Sequence, residues 1–385
     1  MAAVEDAPGF ADRVIAWQRV HGRHDLPWQG GRDPYRIWLS EIMLQQTQVA
    51  TVIPYYQRFL REFPDVASLA AAPLERVLEL WSGLGYYRRA RNLHQAAGIV
   101  MRDHGGRFPG EAAALAALPG VGRSTAAAVA VFATGERAAI LDGNVRRVLC
   151  RHDALDGDPG SAAVLAILWS LAERRLPASA IEAYTQGLMD LGATVCTRAR
   201  PACERCPLAA TCSALAGGDP AAYPRRRRRA PPPRRELAPL IIVHPDGRVL
   251  LERRPEQGIW AGLWGLPECP AAPADAVQAR DCTARVLAAA GAASQAEAPP
   301  VSVEPLPPFE HALTHFRLWL SPWRVGLAAD PPPAAEPAAG YRWLAPADAG
   351  AAALPRPVRT LLAGLSPGPA ASAGRQQSPD GPSDR

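Results

Sequence analysis

From residue 10 to about 215, apolar positions recur at three- and four-residue spacing with Pro and Gly between the periodic stretches, which predicts a succession of amphipathic helices. Asp33-Pro34 ahead of Tyr35 to Leu44 supplies a capping carboxylate and a proline at the first helical position, so a helix should begin there. A second helix is expected from Val49 to about Glu62 and a third from Leu74 to Trp81. Residues 10–216 therefore read as an all-α unit. The pattern then changes: Gly217-Gly218-Asp219-Pro220, five arginines from Arg225 to Arg229 and Pro231-Pro232-Pro233 leave nothing to bury. Residues 217–236 read as a linker, either a plain solvated tether or one that also touches phosphates. Beyond it, Leu240-Ile241-Ile242-Val243, a Pro245-Asp246-Gly247 turn and Val249-Leu250-Leu251 predict a hairpin. A helix is expected around Val277 to Ala290, and Phe316 to Val325 reads as another strand. Residues 237–365 thus form a mixed α and β domain, and the Pro/Ser/Gly-rich tail 366–385 should be disordered.

Composition narrows the class. A chain of 385 residues with 48% hydrophobic and 21% charged side chains has enough apolar material for two or three cores, which excludes global disorder. No apolar run approaches the roughly 20 residues that span a bilayer, and the first ten positions carry two acids where a signal peptide is basic. A cytoplasmic protein without membrane contact is expected. The formal charge of +5 favours a polyanionic partner. All 42 basic residues are arginine, so no side-chain amine exists for imine chemistry.

Four places carry candidate chemistry. Glu41 falls in a largely apolar helical stripe with Ile37, Leu44 and Gln48 and has no basic neighbour three or four positions away. If that stripe is buried, the carboxyl pKa rises and the group can act as a general acid; if the stripe is rotated outward, Glu41 is merely solvated. Leu118-Pro119-Gly120-Val121-Gly122-Arg123-Ser124-Thr125 precedes an alanine-rich helix. The spacing suits either an ordinary helix–helix turn or a hairpin whose main-chain N–H groups grip a phosphate. Asp142-Gly143-Asn144 opens another helix, where Asp142 is either a simple cap or a carboxylate kept ionised by backbone N–H bonds. A neutral acid and an ionised carboxylate together are the pair that cleaves a glycosidic bond. Finally, Cys196-x6-Cys203-x2-Cys206-x5-Cys212 gathers four of the seven cysteines within 17 residues, a donor set for a structural zinc or an iron–sulfur cluster. The paired Cys-x2-Cys spacing of zinc sites occurs only once, which leans toward the cluster.

The stretches Leu26-Pro27-Trp28, Trp38 to Val49, Trp81-Ser82-Gly83-Leu84-Gly85-Tyr86-Tyr87, Leu118 to Thr125 and Ile140 to Val145, with this cysteine spacing, resemble adenine DNA glycosylases of the MutY type. These are members of the helix-hairpin-helix glycosylase superfamily that also contains endonuclease III. The resemblance covers about residues 10 to 365. It implies a helix-hairpin-helix core with a 4Fe–4S loop held by the four cysteines, then an α+β Nudix-like domain. It also implies removal of adenine mispaired with 8-oxoguanine or guanine in double-stranded DNA, the adenine being flipped from the stack. Glu41 would protonate adenine and activate water, Asp142 would stabilise the sugar cation or bond to it transiently, and Asn144 would help orient Asp142. Gln45, Gln46 and Thr47 would enter the opened duplex, Tyr86 would wedge beside the oxidised guanine, and Gly120 and Gly122 would shape the phosphate-binding hairpin. Relatives that also nick DNA carry a lysine where this chain has Ser124, which together with the lack of lysine implies a monofunctional enzyme. Phe309 to His315 matches the lesion-recognition loop, with Leu313-Thr314 where many relatives have Phe-Ser, so Thr314 and His315 are carried over as contacts. The segment after Gly262 to Glu268 lacks the paired glutamates that hold magnesium in Nudix hydrolases, so this domain should bind and not hydrolyse. A monomer in the cytoplasm, associated with the nucleoid, is expected. The alternatives are a bifunctional glycosylase/lyase acting on oxidised pyrimidines and a non-catalytic DNA-binding iron–sulfur protein.

Overall fold

The computed structural model describes residues 9–225, 231–291, 300–313, 315–328 and 338–365. The chain divides into two units between Ala230 and Pro231.

The first unit is helical, as expected: α1 (Phe10–His21), α2 (Pro34–Leu44), α3 (Val49–Glu62), α4 (Val66–Ala71), α5 (Leu74–Trp81), α6 (Arg88–His104), α7 (Ala112–Leu115), α8 (Arg123–Thr134), α9 (Gly143–His152), α10 (Ala162–Arg174), α11 (Ile181–Asp190) and α12 (Ser213–Ala216). At the start of α2 the Asp33 carboxylate accepts the Tyr35 N–H at 2.9 Å, and Pro34 occupies the first turn, where its missing N–H costs nothing. Ile37, Trp38, Leu39, Ile42 and Met43 are buried, so α2 is a core helix. Ala126 to Val131 of α8 are all buried, and their small side chains let α8 pack closely on α2, α7 and α11. A π-helical turn, Leu191–Val195, follows α11 and leads into the cysteine loop.

Part of the expected linker belongs to this unit. Asp219 caps a 3-10 turn at Pro220–Ala222, Arg151 Nε donates to the Tyr223 carbonyl at 3.0 Å, and Arg225 pairs with Asp156 at 3.1 Å. Backbone and guanidinium partners thus hold a stretch whose composition offers no apolar burial. Arg226 to Arg229 and the tail 366–385 lie outside the described residues.

The second unit is a mixed sheet built on β1 (Arg234–Val243), which starts inside the range expected for the linker. The predicted hairpin is present, with β1 antiparallel to β2 (Val249–Arg253). The single strand expected over 316–325 is two, β7 (Arg317–Leu320) and β8 (Trp323–Gly326), both parallel to β1. The break falls at Pro322, which has no N–H to donate. Between β2 and β7 come the short β3 (Trp264–Gly265) and β4 (Glu268–Cys269), then β5 (Ser302–Pro305) and β6 (Phe309–Ala312); β9 (Tyr341–Leu344) follows β8. Alternate residues of β1 face opposite ways. Leu240 and Ile242 pack toward the helix α13 (Ala276–Ala289), while Ile241 packs toward α14 (Arg356–Ala363). This two-sided burial is why β1 reads as an unbroken apolar run. The only acid on α13 is Asp281, so the helix lacks the glutamate pair of a metal-dependent pyrophosphatase. Among the described residues no helix is long and apolar enough to cross a membrane.

Candidate active site

Glu41 lies one turn before the end of α2, on the side that carries Ile37, Ser40 and Leu44, and this side forms a wall of a cavity of about 550 Å³. Trp28 and Gln29 from the loop before α2, Phe132 from α8 and Gln186 from α11 also line it. Gln48, expected to extend the stripe, does not: α2 stops at Leu44, and Gln48 is the extended residue that precedes α3. Burial, and secondarily the charge of Asp142, push the Glu41 carboxyl from its ordinary 4.5 up to about 8. The side chain is half-buried overall, but its carboxyl lies deep enough for desolvation to dominate.

Asp142 comes from a different part of the chain and caps α9. One carboxylate oxygen accepts the N–H groups of Asn144 at 3.0 Å and Val145 at 2.7 Å. These bonds and the charges of Arg147 and Arg146 favour the anion, yet burial outweighs them and raises the Asp142 pKa as well. The expectation that the two acids are pushed in opposite directions is therefore corrected. Burial raises both; what separates them is that only Asp142 has donors and cations to hold its charge, so the proton of the pair belongs on Glu41.

The remaining sequence-derived positions sort as follows. The Ser124 hydroxyl accepts the Leu141 N–H at 2.9 Å, tying the start of α8 to the residue before Asp142. Asn144 serves Asp142 through its backbone N–H, while its side-chain oxygen takes a 2.8 Å bond from Arg147. Gln45 Nε2 reaches the Gly120 carbonyl at 3.3 Å and Thr125 Oγ1 at 3.4 Å, so the turn after α2 meets the glycine hairpin. Gly120 has φ +78°, and a Cβ there would stand 2.8 Å from that of Asn92, so glycine is required. Gly122 caps α8 in extended conformation. Gln46 and Tyr86 are non-glycine residues at positive φ, 59° and 49°, and Tyr86 is 48% exposed. Thr47 Oγ1 accepts a bond from Arg89. His315 is exposed in the turn between β6 and β7 of the second unit; Thr314 lies outside the described residues.

Cys196, Cys203, Cys206 and Cys212 line one small, largely apolar cavity with Arg151. Among the described residues no three His, Cys, Asp or Glu side chains are grouped to hold a single metal ion. Arg151 Nη1 donates to Cys196 Sγ at 3.3 Å and to the Thr197 carbonyl at 2.7 Å, and Arg147 Nε donates to the Cys196 carbonyl at 2.7 Å. Two cysteines outside this cluster, Cys269 and Cys282, form a disulfide joining β4 to α13, a pairing that spacing did not indicate.

Sequence reasoning missed Gln186 and the group behind it. Asp190, fully buried, accepts from Gln186 Nε2 at 2.8 Å, from the Arg23 N–H at 2.8 Å and from Arg23 Nε at 2.7 Å, which fixes the cavity wall. The signal available was Gln186 four residues before Asp190 on one helical face.

Residues 39–174 match the family described as "HhH-GPD superfamily base excision DNA repair protein", and residues 238–364 match a NUDIX domain family. The adenine DNA glycosylase of Buchnera aphidicola subsp. Baizongia pistaciae (strain Bp) is 37% identical over 259 residues, covering 67% of this chain and 73% of that relative. The adenine DNA glycosylase of Mus musculus is 36% identical over 387 residues, covering 87% of this chain and 74% of that relative. Among solved structures, a thermostable thymine-DNA glycosylase is similar with TM-score 0.50 and 32% identity, over 54% of this chain and 95% of its own.

Proposed function

The chain belongs to the adenine DNA glycosylases, within the HhH-GPD superfamily of base excision DNA repair proteins, and from that premise we propose how it works and on what. It hydrolyses the N-glycosidic bond of adenine in duplex DNA, and the mispairs it serves are A:8-oxoguanine and A:G. The observation that carries this reading is the Glu41 carboxyl, on the wall of a cavity of about 550 Å³, with a pKa raised to about 8 and Asp142 close enough to contribute to the shift.

At neutral pH Glu41 is protonated. It delivers that proton to the extruded adenine, which makes the base a better leaving group, and as the carboxylate it then draws a proton from the attacking water. Asp142, held as the anion by Asn144 and Val145 N–H groups, faces the positive charge that develops on the sugar and either stabilises it or bonds to it transiently. Trp28 and Gln186 offer an aromatic face and an amide to the base. Gln45, Gln46, Thr47 and Tyr86 act on the opened duplex, and the Gly120–Gly122 hairpin with the start of α8 takes a phosphate. Thr314 and His315 belong to recognition of the 8-oxoguanine strand.

Without a lysine anywhere, an imine-forming β-elimination has no side-chain amine, so the enzyme is monofunctional. It works as a monomer on nucleoid DNA in the cytoplasm. The four cysteines fit a 4Fe–4S cluster: four thiols border one apolar cavity, and guanidinium donors reach a sulfur and two carbonyls of the loop. When bound, the cluster supplies a covalent closure of the loop that follows α11. Iron and acid-labile sulfide should co-purify with the wild type and be lost in Cys206→Ser; wild-type protein that folds and binds zinc in their place would overturn the assignment.

A single-turnover assay on an A:8-oxoguanine duplex tests the reaction. Glu41→Gln should bind the duplex and excise adenine roughly two to four orders of magnitude more slowly than wild type. Borohydride should trap no stable adduct with either protein. Excision by Glu41→Gln at the wild-type rate would refute the acid role.

A further inference from the structure

Arg89, in the first turn of α6, is only 8% exposed. Among the described residues no carboxylate pairs with it. Its two terminal nitrogens donate to oxygens from two separate turns, while Nε is buried without a hydrogen-bond partner among the described residues. Nη1 donates to the carbonyls of Ile42 at 3.0 Å, Met43 at 2.7 Å and Gln45 at 2.6 Å. Nη2 donates to Thr47 Oγ1 at 3.0 Å and to the carbonyls of Leu84 at 3.4 Å and Gly85 at 3.3 Å. The group also lies over the Trp81 and Tyr86 rings, 5.4 and 5.5 Å from their centroids.

Capping the last carbonyls of α2 accounts for two of these bonds. The other four go to the Gln45–Thr47 turn and the Gly83–Tyr86 turn, far apart in sequence. Each turn also holds a non-glycine residue in the left-handed region, Gln46 in one and Tyr86 in the other. Such conformations persist only where the surroundings over-determine them. A buried cation without a counterion is costly, and a planar fork of donors suits bridging two sets of carbonyls in a way that a lysine ammonium does not.

We propose that Arg89 is a positioning residue that locks these two turns into one rigid edge, so that the Gln45–Thr47 turn and Tyr86 act together in drawing adenine out of the stack. The proposal rests on the reading above that both turns meet DNA. It separates Arg89 from the chemistry: the residue helps pay the cost of extrusion and plays no part once the base is out.

The test uses the full chain in a Glu41→Gln background, expected to bind and to cleave only slowly, and a duplex with 2-aminopurine opposite 8-oxoguanine. Protein without the Arg89 change should raise 2-aminopurine fluorescence as the base leaves the stack. Adding Arg89→Lys should cut that rise about fivefold or more, while affinity for a duplex with a base-free tetrahydrofuran site, where nothing need be extruded, should change by less than about threefold. An undiminished fluorescence rise would overturn the proposal. So would a parallel loss of affinity for the base-free duplex, since that is the mark of a general structural role. Should Arg89→Lys fail to fold, Arg89→Gln keeps a planar amide donor that can reach only one of the two turns and carries the same comparison, with an expected cut of about twofold or more. If Glu41→Gln alone neither binds nor extrudes the base, the reading of the two turns as DNA-contacting fails, and Arg89 with it; binding and extrusion by Glu41→Gln with no effect of Arg89→Lys defeats only the role of Arg89.

Discussion

Two carboxyls buried near each other compete for one proton, and their hydrogen-bond surroundings decide which keeps it. Asp142 has two backbone N–H donors, whereas burial and the Asp142 charge govern Glu41. The acid form of Glu41 is present below about pH 8, so the single-turnover excision rate should be high near neutrality and fall as pH rises through about 8. The same shift is linked to stability. The folded value is above the ordinary 4.5, so folded protein holds the proton more tightly between the two. That contribution is full below pH 4.5 and is lost as pH rises through about 8. Wild type should therefore lose melting temperature relative to Glu41→Gln between pH 5 and pH 9, by roughly 5 °C. Equal melting curves at both pH values would mean that the carboxyl is solvated. The Ser124 hydroxyl accepts the N–H of Leu141, the residue before Asp142.

At the scale of elements, α9 is a beam with Asp142 at one end and guanidinium contacts to the cysteine loop along its length. Arg147 reaches the carbonyls of Gly192 and Cys196, and Arg151 reaches those of Thr197 and Arg198. The π-helical turn that precedes the cysteines lies against the start of α9 at Gly192. A Cβ on Gly192 would stand 2.5 Å from Asn144 Cβ and 3.0 Å from the Asn144 backbone, and backbone cannot swing aside as a long side chain can. Gly192→Ala should accordingly destabilise the protein by about 1–3 kcal/mol. It should also slow excision roughly ten- to hundredfold by displacing the Asp142 cap, a loss read in single-turnover kinetics at saturating enzyme. A variant with wild-type kinetics would show that α9 tolerates movement at its Asp142 end.

At the scale of the whole molecule, two units with separate cores occupy one basic chain whose +5 charge is entirely arginine in its cationic part. Affinity for duplex DNA should fall linearly with salt on logarithmic axes, with a slope of roughly −0.9 for each phosphate neutralised. An affinity indifferent to salt would leave the excess arginine without this role. The second unit matches a NUDIX domain family, and its α13 offers Asp281 as its only acid.

Periodicity and punctuation alone determined much of this protein. The helical first unit, the Asp33-Pro34 start of α2, the β1–β2 hairpin and α13 are local outcomes of apolar spacing, capping and turn chemistry, and they are legible for that reason. Glu41 and the four cysteines were legible as candidates because a carboxyl in an apolar stripe and four thiols within 17 residues are unusual, whereas Asp142 sits where a cap is ordinary and stood out only beside Glu41. Only the tertiary structure decided that Glu41 borders a cavity within reach of the Asp142 charge, that both pKa values rise, that Asp190 anchors Gln186 on the cavity wall, and that Arg89 bonds two turns distant in sequence. It also decided that residues up to Arg225 stay packed on the first unit, and that Cys269 meets Cys282. Desolvation, long-range hydrogen bonds and close backbone approach depend on what lies opposite in space, and a one-dimensional pattern records only what lies alongside in the chain.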